Sequence, residues 1–230
     1  LDSKGFCWNK LTVLQTYMVF GGVAYYLSLL NEKESLVQNI DRLFFGQDAP
    51  LQREYERLFK TLFNSTDPYF RIVKLLNNNK FGLTRSEIST KLKIEGKTLT
   101  NYLNNLVNSD FLRYYVVKDK KIKKNGGIYQ LLDCFIRYFL TFVEDNMRES
   151  DFWAHHINTP EVNNWCGLSF EKICLLHIPR IKMALHFDTI STQTYSWRSK
   201  TGERGAQIDL VIDRADGFTN ICEVKYSKYE

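Results

Sequence analysis

Gln207-Ile208-Asp209-Leu210-Val211-Ile212 and, further on, Glu223-Val224-Lys225 are apolar, strand-forming stretches that carry acidic side chains where a buried strand disfavours them. Side chains alternate faces along a strand, so Glu223 and Lys225 project together while Cys222 and Val224 project the other way. Asp216-Gly217, between the two stretches, is a hairpin-turn signal. Antiparallel pairing across that turn brings Asp209 beside Glu223. Two carboxylates and an ammonium on one sheet face can hold Mg²⁺ or Mn²⁺ and act on a phosphodiester. The alternative is structural: charges on an edge strand oppose sheet-to-sheet association. Lys225, with Lys228 close behind, also reads as a surface lysine. Gln207 shares the strand face of Asp209.

The order Asp…Glu-x-Lys resembles the divided motif of the PD-(D/E)XK nuclease superfamily. In that superfamily a helix carrying a glutamate precedes a three-stranded meander. Here Trp165 to Ile178 has a helical pattern, with Phe170, Ile173 and Cys174 recurring on one side and Glu171 within it. Strands are expected near 193–199, 206–213 and 218–225. The resemblance implies that Asp209 and Glu223 hold Mg²⁺ or Mn²⁺, with the Val224 carbonyl helping. Glu171 would ligate through water or complete the site, and Lys225 would orient or activate the attacking water. Glu171 also reads as a solvated helix residue.

The length of 230 residues suffices for one to three domains with a sizeable core. An apolar content of 44% marks a folded, soluble chain rather than a disordered one. No uncharged apolar run approaches the roughly 20 residues of a membrane helix. The sequence starts at Leu1 without a signal-peptide pattern and reads as a fragment of a longer, cytoplasmic protein. Cysteines 7, 134, 166, 174 and 222 are odd in number and widely spaced, as reduced thiols are. Cys174 and His177 have ligand-like spacing but no partner pair, and His155-His156 reads as a loop feature.

Charge is uneven along the chain. Residues 70–125 carry 13 basic and 4 acidic side chains, a net of +9 against +5 for the whole. Such a concentration suits a nucleic-acid-contacting module. Within it, Phe70–Leu76 is amphipathic, and Thr84-Arg85-Ser86-Glu87 is a capping box that opens a helix to about Leu92. After Gly96, a second helix runs from Thr98 to Ser109. Leu99, Leu103 and Leu106 share one face, and Lys97, Thr100, Asn101, Asn104 and Asn105 are left toward solvent. Phe111–Val117, a basic loop KDKKIKKNGG and Ile128–Leu131 form a hairpin. This is the pattern of a winged helix, its third helix suited to a major groove and Lys118, Lys120, Lys121, Lys123 and Lys124 suited to phosphates. The recognition helix carries no arginine, so strong guanine readout is not indicated. Winged helices also serve as connectors or protein-binding modules, and a lysine-rich tip can be a plain solvated loop.

Taken together, GGVAYYLSLL (residues 21–30), the winged-helix pattern, Tyr129–Phe139, Phe170-Glu171 and IDLVI…EVKYS resemble the C-terminal half of the prokaryotic archaeal-type ATPases, of the STAND/AAA+-like P-loop class. Ala24 stands where that family commonly has Pro. The resemblance implies a multidomain α+β chain in three parts. Residues 1–66 are a helical lid remnant, and 67–145 are a winged helix-turn-helix domain. Residues 146–230 are a truncated PD-(D/E)XK nuclease-like α/β domain anchored by Trp153 and Trp165. The stripe of Phe135, Tyr138, Phe139 and Phe142 reads as packing. No G-x-x-x-x-G-K-[ST] motif occurs; Gly96-Lys97-Thr98 has Lys91 where the first glycine belongs. ATP binding is therefore expected only upstream of Leu1. DNA and the upstream ATPase domain are the expected partners, with divalent-metal-dependent DNA cleavage as the activity. The rival expectations are a non-catalytic regulatory or protein-interaction module, and a winged-helix DNA-binding regulator.

Overall fold

The computed structural model describes residues 5–116, 127–198 and 207–227. In chain order the helices are α1 (Lys10–Phe20), α2 (Ala24–Ser28), α3 (Leu36–Phe44), α4 (Glu54–Leu62), α5 (Asp67–Asn77), α6 (Arg85–Leu92), α7 (Gly96–Asn108), α8 (Cys134–Tyr138), α9 (Phe152–His156), α10 (Pro160–Leu176) and α11 (Ile178–Ala184). A π-helical turn, Phe139–Val143, continues α8. The strands are β1 (Leu83–Thr84), β2 (Leu112–Val116), β3 (Gly127–Leu131), β4 (Thr192–Arg198), β5 (Gln207–Arg214) and β6 (Thr219–Cys222). The chain is thus mixed α+β with two small antiparallel sheets, ordered β1-β3-β2 and β4-β5-β6. No helix among the described residues is long and apolar enough to cross a membrane.

Two compact units divide the chain. The first comprises residues 5–78 and 133–169 and is helical. Its core is aromatic. Tyr138 is fully buried and contacts the rings of Phe44, Phe142, Trp153 and Trp165 at 5.0–5.5 Å. The expected packing stripe of Phe135, Tyr138, Phe139 and Phe142 is buried throughout, as are Trp153 and Trp165. Asp41 on α3 ties the start of α9 to this core, its carboxylate accepting from the Trp153 and Ala154 amides at 2.7 and 3.0 Å. Such N-terminal amides have no intrahelical partner, so a carboxylate there satisfies both.

Asp133 caps α8 by accepting from the Ile136 amide at 2.7 Å. Burial pushes its carboxyl from the ordinary 3.8 to about 6, against the opposing pull of the Ile136 amide and Arg137. The folded chain therefore holds this proton more tightly than the unfolded chain. The resulting stabilisation is complete below about pH 4 and is lost as pH rises through about 6. Asp133→Asn keeps a capping oxygen and has nothing to titrate. It is expected to flatten that limb of the stability curve and to raise the urea midpoint at pH 7. An unchanged pH profile would refute the assignment.

The second unit comprises the described residues of 79–132 and 170–227. It holds both sheets. Strand β1 leads directly into α6, and α6 into α7. The capping box forms as expected: the Glu87 amide donates to Thr84 Oγ1 at 3.3 Å, and the Thr84 amide to Glu87 Oε2 at 2.7 Å. Thr84→Ala should cost about 1 kcal/mol, measured by urea unfolding. Leu99, Leu103 and Leu106 of α7 are fully buried, the face the pattern predicted. Strands β2 and β3 pair in register from Leu112↔Leu131 to Val116↔Gly127. In the other sheet, Leu210 and Ile212 of β5 pack with Leu175 and Phe187, flanked by Ile178, Ile181, Ile190 and Cys222. Alternation turns Val211 and Asp213 to the opposite face.

Candidate functional site

Strand β5 is irregular at the residue that matters most. Tyr195 pairs with Val211, but Trp197 pairs with Ile208, so Asp209 and Leu210 together oppose Ser196. This is a β-bulge, which bends a strand and re-aims a side chain. The Ser196 hydroxyl holds it by donating to the Asp209 carbonyl at 2.8 Å. On the other side of β5 the ladder with β6 ends at Leu210↔Cys222, and Asp209 and Glu223 stand one step beyond.

The expected strand 218–225 is shorter than the sequence indicates: β6 ends at Cys222. Glu223 and Lys225 therefore lie just past the strand rather than within it. The physical reason is the Asp209 side chain. Its Oδ2 accepts the Val224 amide at 2.9 Å, so a carboxylate takes the place of a backbone partner. Lys225 Nζ lies 4.0 Å from Glu223 Oε1, and both side chains are largely exposed. An exposed pair at that separation contributes little stability.

Glu171 lies on α10 with its carboxylate nearly buried. Lys172 Nζ approaches Glu171 Oε1 to 3.3 Å, and Lys172 is itself only 3% exposed. Cys174, one turn on, has its thiol pKa raised by burial and by the negative charges of Glu171 and Asp209. The structure thus brings Glu171 and Asp209 around one residue, and Asp209 and Glu223 to adjacent strand ends. Among the described residues, however, no group of three or more His, Cys, Asp and Glu side chains is placed to hold a metal ion. The donors fit Mg²⁺ only in the sparse sense that this ion accepts, one or two carboxylates completed by water and substrate phosphate. Glu171 is not gathered into a common group with Asp209 and Glu223.

For nucleic-acid contact, α7 exposes Lys97, Asn101, Asn104 and Asn105. Thr100 differs from expectation. It is half-buried, and its hydroxyl accepts from Arg85 Nε at 3.0 Å while Arg85 also reaches the Gly96 carbonyl at 2.6 Å. Thr100 thus anchors Arg85 to the start of α7. An arginine does stand beside α7, supplied by α6, and sequence spacing within α7 alone gives no sign of it. Lys118, Lys120, Lys121, Lys123 and Lys124 fall outside the described residues.

Two further residues escaped the sequence reading. Arg113 on β2 donates to Gln130 at 2.9 Å and stacks over Tyr115 with its guanidinium 4.1 Å from the ring centroid. Burial lowers its pKa, against the pull of Tyr115 and Glu171. Lys172 is the other. It falls at the helical spacing of the buried Trp165 and Ser169, which is the signal that could have found it.

No family model matches the chain. A curated relative, an uncharacterized protein of Methanocaldococcus jannaschii, is 26% identical over 228 residues, 95% of this chain. The chain spans about half that relative's length (48%). No solved structure matches.

Proposed function

We propose that this chain is part of an ATPase-linked protein that binds DNA through a winged helix and presents a nuclease-like acidic pair, Asp209 and Glu223. One observation carries the reading: the α6–α7 pair with its β2–β3 hairpin and the acid-bearing β4–β5–β6 meander fold into one compact unit. A DNA-contacting helix and a site for phosphodiester chemistry then belong to the same body. The exposed Lys97, Asn101, Asn104 and Asn105 face suits a groove, and the charge of residues 70–125 suits the phosphates.

Bound Mg²⁺ or Mn²⁺ would supply Lewis-acid activation of a phosphodiester. Asp209 and Glu223 would hold it from neighbouring strand ends. The bulge at Asp209 and its bond to the Val224 amide fix the carboxylate against the β6 end. Lys225 offsets phosphate charge beside Glu223 and is exposed enough to reach substrate. Glu171, held by Lys172, acts on this pair through charge. Nucleotide binding belongs to an upstream domain.

The test incubates the chain with supercoiled and single-stranded DNA and Mg²⁺ or Mn²⁺, beside Glu223→Gln. Metal-dependent cleavage that Glu223→Gln loses supports the reading. DNA binding without cleavage in any metal would make the chain a DNA-binding regulatory module of the ATPase.

A further inference from the structure

Tyr114 is an aromatic side chain that is both exposed and held in place. It lies on β2, is 49% exposed, and contacts the ring of Tyr129 on β3 with centroids 4.9 Å apart. Its own ring lies flat over Gly127. A Cβ added at Gly127 would stand 1.9–2.1 Å from the Tyr114 Cζ, Cε2 and hydroxyl atoms. Register explains this: Tyr114 opposes Tyr129, so Gly127 is its diagonal neighbour on the same sheet face. Only glycine leaves room for the ring there. An exposed tyrosine ordinarily loses rotamer entropy when it engages a ligand; one seated on a glycine and braced by a second ring has lost it already.

The surroundings specify what such a ring is for. Tyr129 feels the positive charge of Arg85, which is tied in turn to Thr100 on α7. A row therefore runs from the exposed ring through Tyr129 and Arg85 to the polar face of α7, within the segment of net +9. Fixed aromatic faces beside fixed cations are how proteins hold unpaired bases, since every base has a π-face and every backbone step a phosphate. Within a paired stretch the bases are stacked on one another and offer the ring no free face.

We propose that Tyr114, seated on Gly127, is a stacking platform for an unpaired base of DNA. It gives the unit a preference for single-stranded or opened DNA over intact duplex. The proposal rests on the DNA-binding reading above and adds the form of DNA recognised.

The test measures fluorescence anisotropy of a labelled oligothymidylate of about 20 nucleotides and of a blunt duplex of the same length. The proteins are the parent chain, Tyr114→Ala, Tyr114→Phe and Gly127→Ala. Tyr114→Ala should weaken single-strand binding about 5- to 100-fold. It should leave duplex binding within about twofold and the salt dependence of both unchanged, because no phosphate contact is lost. Tyr114→Phe keeps the ring and should bind as the parent does. Gly127→Ala displaces the ring and should shift in the direction of Tyr114→Ala. The proposal is overturned if Tyr114→Ala leaves single-strand binding unchanged or weakens both substrates alike. It is also overturned if Tyr114→Phe is as weak as Tyr114→Ala, which would assign the effect to the hydroxyl. Failure of the parent chain to bind either DNA would overturn the DNA-binding reading itself, and the platform with it.

Discussion

Asp209→Asn is expected to reduce metal-dependent DNA cleavage by on the order of 100-fold or more while leaving the urea midpoint close to that of the parent chain. Both halves of that expectation come from one side chain. The carboxylate supplies half of the acidic pair, and losing even an outer-shell partner of a metal commonly costs 10- to 100-fold. Asparagine retains an oxygen at the position of Oδ2, so the Val224 amide keeps its acceptor. Asp209→Ala removes that acceptor as well and is expected to lose about 1 kcal/mol of stability in addition. The backbone after Cys222 would then lose the bond that fixes Glu223 next to the bulge. Comparing the two variants separates chemistry from architecture. Equal unfolding of both, with cleavage lost only in proportion to the unfolded fraction, would make Asp209 a structural residue.

Tyr138→Ala should be the most damaging substitution in the first unit. The side chain is fully buried and touches four other aromatic rings. Truncating a buried aromatic costs about 3–5 kcal/mol, a large share of the about 5–15 kcal/mol that holds a domain together. The hydroxyl contributes differently. It is buried without a hydrogen-bond partner among the described residues, and burial raises its pKa further. Removing a group that makes no bond removes only its desolvation cost. Tyr138→Phe is therefore expected to stay within about 1 kcal/mol of the parent or above it. Trp153 and Trp165 contact the Tyr138 ring and report on both variants by fluorescence during urea unfolding. A Phe variant as damaged as the Ala variant would show that the hydroxyl carries the effect.

Local rules made much of the fold legible. The Thr84/Glu87 box, the Leu99/Leu103/Leu106 face and the Asp216-Gly217 turn each appear where periodicity or cap chemistry placed them. Strands β4 and β5 match their expected positions to within a residue or so because alternating and apolar patterns are local signals. The end of β6 was not legible, since it depends on a side chain in β5, fifteen residues before Val224, accepting the Val224 amide. The bulge was equally hidden. It is a count of residues between two strands, and neither strand shows it alone. Thr100 read as solvent-facing from its helical position, and only the reach of Arg85 from α6 changes that. The acidic pair was legible as a motif, but the separation of Glu171 from it was not, because helical periodicity fixes a face and not a distance to another element.

The most direct measurement of the central claim is the affinity of the chain for labelled DNA as a function of salt. The account predicts binding whose log K falls steeply and linearly with log salt, about 0.9 per phosphate neutralised on duplex, with Lys97→Ala reducing the slope by about one. No binding at low salt, or binding indifferent to salt, would contradict it.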